Sequence, residues 1–239
     1  MQRLETLLAQ KEPTIAAVFA SDDDLAQAEI VARSAHIAEF RSDLIQLDPI
    51  AKERRLQGLA QLMPTLFTAR HQREGGQWHE TEPVRLAHYQ RLMHYAHAAD
   101  IEVRSRKIAK EVITITHGLG KPAIASFHDF ESTPKASELS RYLDEGLALG
   151  ADYVKFALMA RTADDYDSQL QFLIANKDYP LIMVGMSDEA SDAPYGPISR
   201  IVFPYSGSHL TFGCIGEPVA PGQMSVEALA HSFALVANR

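Results

Sequence analysis

Several apolar stretches of this 239-residue chain carry a charged residue where only hydrophobic neighbours are expected. Lys155 sits inside Tyr153-Val154-Lys155-Phe156-Ala157-Leu158, and His128-Asp129 close the run Ile124-Ala125-Ser126-Phe127. A lysine drawn out of water is driven toward the neutral amine, which attacks carbonyl carbons to form an imine. Such a lysine needs an acid/base nearby to move a proton at the adjacent carbon, and histidine titrates in a suitable range. Each residue also has a plain structural alternative. Lys155 can extend from a strand end toward water, or pair with Glu39 or Glu102 in a buried ion pair. His128 can be a hydrogen-bonded core histidine. Glu39 and Arg41 lie two apart, which puts both side chains on the same side of a strand. Arg70 ends a further apolar run, with Arg73-Glu74-Gly75-Gly76 just beyond it.

Placing these groups together requires parallel strands. Short β-rich runs at 14–20, 37–44, 65–69, 100–103, 122–127, 153–159, 181–186 and 208–215 alternate with stretches of helical spacing such as 24–34, 81–98, 135–149, 164–177 and 226–238. That alternation predicts strands joined by crossover helices. Eight βα repeats in this length predict an α/β fold, a (β/α)8 TIM barrel forming a single domain over residues 1–239, with its chemistry at the C-terminal ends of the strands. An open doubly wound sheet is the alternative, but the Gly-x-Gly-x-x-Gly turn of a nucleotide-binding sheet does not follow an early strand. Ser132-Thr133-Pro134 and Asp164-Asp165 read as helix starts. Segment 187–197, rich in Ser, Asp, Pro and Gly, reads as an active-site lid loop, and 213–223 as a second.

Composition narrows the partners. The net charge is −8, and no run of Lys or Arg interleaves with aromatics, so nucleic acid is not expected to bind. An anionic small-molecule substrate then needs positive charge focused inside a cleft. Cys214 is the one cysteine, which excludes an intrachain disulfide and a multi-cysteine metal site. Residues 1–8 carry charge too early for a signal sequence, and no stretch approaches about 18 uncharged apolar residues. A cytoplasmic protein without membrane association is expected. His79, His88, His94 and His97 crowd one segment but read as a solvated helix rather than a metal site, and Ser21-Asp22-Asp23-Asp24 reads as a helix cap. The stripe from 86 to 95 reads as core or subunit interface.

Taken in order, these residues resemble the type I 3-dehydroquinate dehydratases of the shikimate pathway, from the first strand to the last helix. Glu39-Phe40-Arg41-Ser42-Asp43 is similar to the family's Glu-x-Arg-x-Asp strand, and Arg70 with Arg73-Glu74-Gly75-Gly76 to its Arg-x-x-Lys-Glu-Gly-Gly loop, with arginine in place of the lysine. Phe127-His128-Asp129-Phe130 resembles the catalytic histidine segment, and Lys155 falls at the family's spacing for the Schiff-base lysine. Gly196-Pro197-Ile198-Ser199-Arg200 resembles the segment of the carboxylate-binding arginine; Thr211-Phe212-Gly213 and Ala220-Pro221-Gly222-Gln223 resemble the last strand and its closing loop.

The resemblance implies dehydration of 3-dehydroquinate to 3-dehydroshikimate. Lys155 would form the imine, His128 would move the proton, Glu74 would orient His128, and Arg200 would clamp the carboxylate. Glu39, Arg41, Arg70 and Gln223 would hold ring hydroxyls and one another. It also implies a homodimer needing neither metal nor organic cofactor, serving aromatic amino acid biosynthesis or quinate breakdown. Two features depart from the family: Val219 stands where a serine commonly contacts substrate, and 187–197 is slightly longer. A class I aldolase would share the imine but lack the His-Asp-Phe, Glu-Gly-Gly and Ala-Pro-Gly-Gln segments. A weakly active metabolite sensor would have no use for the His128 and Lys155 pair.

Overall fold

A computed structural model describes residues 13–237. The charged segment 1–8, and residue 238 at the end of the last expected helix, lie outside them. The chain runs β1 (Ile15–Phe19), α1 (Asp22–Ala26), α2 (Ala28–Val31), β2 (Ile37–Arg41), α3 (Pro49–Leu62), β3 (Thr65–Thr68), a single 3-10 turn (Gln72–Glu74), α4 (Glu82–Leu92) and β4 (Ala98–Glu102). It continues through α5 (Ala109–Gly118), β5 (Ala123–Asp129), α6 (Ala136–Ala148), β6 (Tyr153–Met159), α7 (Ala163–Ala175), β7 (Leu181–Met186), α8 (Tyr195–Tyr205), β8 (Thr211–Cys214) and α9 (Val226–Ala237). The strands form one parallel sheet in the order β7-β6-β5-β4-β3-β2-β1-β8, so the last strand lies beside the first and the sheet wraps into a (β/α)8 barrel. The β7–β8 seam is bridged just ahead of β8, where His209 N donates to Leu181 O at 2.9 Å and Ser208 Oγ accepts from Met183 N at 2.9 Å.

Alternation along the strands builds two cores. Ala16, Val18, Ile37, Leu66, Ala98, Ile124, Ile182 and Val184 pack inside the barrel. Their sequence neighbours, such as Ala17, Phe19, Phe40, Phe67, Ala99, Ile101 and Phe127, pack outward against the helices. The period of two then carries each inward face toward the C-terminal mouth: Ile37 to Glu39 and Arg41, Leu66 to Thr68, Ala98 to Asp100 and Glu102, Ile124 to Ser126 and His128. Glu39, Arg41, His128 and Lys155 therefore all face the barrel interior toward its C-terminal mouth. Register aligns the strands, with Glu102 opposite Ser126 and Ser126 opposite Lys155.

The helices depart from their sequence reading in places. The stretch 24–34 divides into α1 and α2, because Gln27 leaves helical geometry between them. The expected helix 81–98 stops at Leu92, and Ala98 and Ala99 belong to β4, which begins two residues before the expected 100. Strand 37–44 ends at Arg41, after which Ser42 N turns to Phe40 O and Thr68 O. Ser132-Thr133-Pro134 caps nothing: α6 starts at Ala136 behind Lys135, which makes no side-chain cap. Ser21 and Thr162 do cap α1 and α7, each in a reciprocal box with an aspartate three residues on. No helix among the described residues is long and apolar enough to cross a membrane.

Candidate active site

A pocket of about 520 Å3 of empty space, its mouth included, opens at the C-terminal end of the barrel. Its lining brings together Glu39, Arg41, Arg70, Glu74, His128, Lys155, Arg200 and Gln223, every site residue expected from the sequence, with Phe130, Met186, Phe212 and Val219 as apolar walls.

Lys155, 5% exposed, is held from below and capped by an aromatic face. Its Nζ donates to Asp100 Oδ2 at 3.1 Å, stands 3.9 Å from Glu39 Oε1, and lies 4.1 Å from the Phe212 ring centre. The ion-pair alternative thus holds for Glu39 in part, but the main partner is Asp100. Glu102 faces elsewhere, accepting from Arg70 at 3.1 Å and from Arg85 at 2.8 Å. Asp100 is fully buried; despite that burial, the charges of Arg70 and Lys155 bring its carboxyl down to about 2. Asp100 was not singled out in the sequence. The signal was present, since Asp100 and Glu102 stand two apart in an apolar strand just as Glu39 and Arg41 do.

His128 is the last inward-facing residue of β5, with its ring against the 3-10 turn. Glu74 Oε2 accepts from His128 N at 2.9 Å and lies 3.0 Å from Nδ1; when Glu74 is ionised, this contact puts the ring proton on Nδ1 and leaves Nε2 as an acceptor. Burial, together with the charges of Arg70, Lys155, Arg41 and Arg104, holds the imidazole pKa well below its ordinary value. The ring is therefore neutral at neutral pH. Burial and the charge of Glu102 push Glu74 up to about 7, against the pull of Arg70 and Arg104.

The turn that delivers Glu74 depends on two glycines. Gly75 has φ of +76°, and a side chain there would run into the Phe130 ring. A Cβ on Gly76 would fall on the backbone carbonyl of Arg70, so only glycine lets this loop cross so closely.

Arg200 enters from α8. Its Nε donates to Gly222 O and its Nη1 to Phe212 O, both at 3.2 Å, and among the described residues no carboxylate pairs with it. Burial without a counter-charge lowers its pKa to about 10, still cationic at neutral pH. A buried guanidinium lacking an anion is a receptor for one. Arg41, by contrast, is engaged by Asp43 at 2.8 Å, and Arg70 by Asp100 at 2.7 Å, so these two shape the pocket as members of internal pairs.

Segment 187–197 is tethered: Asp188 takes Arg161 at 2.9 Å, Asp192 N donates to Arg161 O at 2.8 Å, and Tyr195 already belongs to α8. Its Ser187 Oγ accepts from Gly196 N, and Gly196 packs against Gly222 of the last loop. In that loop Val219 N donates to Gln223 Oε1 at 2.8 Å while the valine side chain packs on the inner core. Cys214 is buried, as an apolar filler would be. The histidines of the crowded segment diverge: His88 bonds Ser42, His97 accepts from Thr65 N, and His79 bonds Gln72.

Fold and site together define a (β/α)8-barrel enzyme whose pocket sets a buried lysine and a neutral histidine beside an unpaired arginine. The family described as Type I 3-dehydroquinase matches residues 17–238, and the chain belongs to that family of shikimate-pathway hydro-lyases. A 3-dehydroquinate dehydratase of Methanococcoides burtonii is 32% identical over 243 residues, covering 99% of this chain and all of the relative. The crystal structure of the 3-dehydroquinate dehydratase from Geobacillus kaustophilus superposes with a TM-score of 0.84 at 26% identity, over 95% of this chain and 92% of that one. The type I enzyme from Clostridium difficile, solved with covalently modified comenic acid, gives 0.83 at 26% identity over 96% and 94%.

Proposed function

We propose that the chain is a cytoplasmic dehydratase that converts 3-dehydroquinate to 3-dehydroshikimate through a Schiff base on Lys155. The observation that carries this reading is the convergence of Lys155, His128 and Arg200 on one pocket. Arg200 receives the substrate carboxylate, and Glu39 and Gln223 take the ring hydroxyls on a wall that Arg41 and Arg70, fixed by their internal partners, complete. The Lys155 amine adds to the ketone and loses water, giving a protonated imine. His128 Nε2 removes a proton from the adjacent carbon, and the electron pair passes into the imine to give an enamine. The enamine then expels the hydroxyl one carbon further on, which leaves as water with the proton returned by His128. Hydrolysis of the imine releases the conjugated enone. Glu74 keeps the imidazole in the Nδ1–H form and stabilises the imidazolium between the two transfers.

The expected ranges 187–197 and 213–223 run into α8 at Tyr195 and into β8 up to Cys214; their loop parts act as lids on this reading, and Gly196 at the start of α8 approaches Gly222. The active form is a homodimer, to be checked by sedimentation. The test of function is growth of enone absorbance when the protein meets 3-dehydroquinate, and a borohydride-fixed adduct on Lys155. Lys155→Ala should abolish both. Parent protein that binds the compound without absorbance growth or trapping would instead mark a metabolite sensor.

A further inference from the structure

Glu74 borders two hollows. One is the pocket of Lys155; the other is a groove on the outer flank, lined by His71, Arg73, Arg104, Arg106 and Tyr142. Arg104, two residues beyond β4, reaches across from that groove. Its Nε donates to Glu74 Oε1 at 2.7 Å and its Nη2 to His128 O at 3.1 Å, while its guanidinium lies 4.7 Å over the Phe127 ring centre. One planar group thus grips both the carboxylate and the backbone of the histidine that this carboxylate orients. Arg104 does not line the pocket of Lys155 and touches nothing that reacts.

We propose that Arg104 is a positioning residue: from outside the pocket, through Glu74, it holds His128 as the neutral Nδ1–H base. The proposal rests on the acid/base reading of His128. Other charges face the pair from each neighbouring strand: Arg41 from β2, Arg70 beyond β3, Glu102 from β4 and Lys155 from β6. Arg70 is committed to Asp100, Glu102 and Ser126, so Arg104 is the cation in direct contact with Glu74. A cation beside two titrating groups favours the deprotonated form of both. Its removal therefore moves Glu74 and His128 in the same direction, toward protonation, and starves the base at the acid end of the working range.

The deciding measurement is the pH dependence of kcat with 3-dehydroquinate for the parent, Arg104→Met and Arg104→Lys. Methionine keeps the length and the contact with Phe127 but loses the charge. We expect its acid limb to rise by about one pH unit, with kcat on that limb about tenfold lower. KM should stay near the parent's, Lys155 should still be trapped by borohydride, and lysine should return most of the limb. A limb that superimposes on the parent's, a loss equal at all pH values, or a change confined to KM would overturn the proposal. In parallel, ring-nitrogen NMR of His128 in the free proteins should show the Nδ1–H form in the parent and a higher titration midpoint in Arg104→Met. An identical tautomer and midpoint would also overturn it. That readout needs no turnover, so an inactive parent would sink the dehydratase reading while the spectra still decide the role of Arg104.

Discussion

Lys155, Asp100, Arg70, Glu102, Arg85 and Glu82 form a line of alternating charge from the pocket to the outer surface of the barrel, each linked to the next by 2.7 to 3.1 Å. Removing one member strands its neighbours in a medium that solvates charge poorly. Asp100→Asn leaves Lys155 and Arg70 facing each other, and we expect a loss of about 3–5 kcal/mol in urea unfolding. Titration separates the other members of the site by sign. Asp100, held near 2, contributes stability above its unfolded pKa that is lost as pH falls toward 2. His128 refuses a proton that the unfolded chain accepts, so its contribution falls as pH drops below about 6.5. Glu74 is opposite: its raised folded pKa favours the native state in acid, and this is lost as pH rises from about 4.5 to about 7. The urea midpoint of His128→Asn should therefore fall less than the parent's between pH 7 and 5, and that of Glu74→Gln should fall more; the reverse order would contradict these environments. In the sequence, Lys155, His128 and Arg200 stand out because charge interrupts an apolar run or a known spacing. Asp100 carries only the two-residue spacing it shares with Glu102, and Arg104 has no signal of its own, because its role comes from a turn 30 residues away in sequence reaching the same place.

At the scale of elements, strands were more legible than helices. Strands packed on both faces read as short, nearly continuous apolar runs bounded by polar segments, and the runs 153–159 and 181–186 match β6 and β7 in full. Helix ends are blurred where composition gives no stop: after Leu92 the chain continues Met93-His94-Tyr95-Ala96-His97, with neither glycine nor proline to mark the end. Helix α3 was not singled out, since only Leu56, Leu59 and Ala60 are buried along its 14 residues; what fixes it is Asp48, whose carboxylate accepts from Ile50 and Ala51 N ahead of Pro49 at the first turn. The Glu-Gly-Gly turn shows why its motif is strict. Gly76→Ala forces the loop off the Arg70 carbonyl and carries Glu74 with it. We expect a loss of about 2 kcal/mol or more and a fall in kcat, whereas Gly58→Ala, an open helical site, should leave kcat unchanged and stabilise slightly.

For the molecule as a whole, a surplus of eight negative charges coexists with a cationic pocket, because Arg200 is buried with two carbonyl partners and, among the described residues, no carboxylate. Exposed charge is screened within about 8 Å at physiological salt, whereas the buried cation is not. The barrel's closure bears on the same residues. The sheet is laddered from β7 round to β8, and the remaining edge is bridged at its lower end by Ser208 and His209. Lys155 stands on β6, one strand to one side of this gap, and Arg200 holds the Phe212 carbonyl on the other. A molecule bonded to Lys155 and gripped by Arg200 would supply a rung the backbone omits. The occupied barrel should then breathe less than the empty one, with slower amide exchange in 181–186 and 211–214 after borohydride fixation. Ligand would be part of the hoop as well as its cargo, and the protein's resistance to unfolding would track the supply of its own substrate.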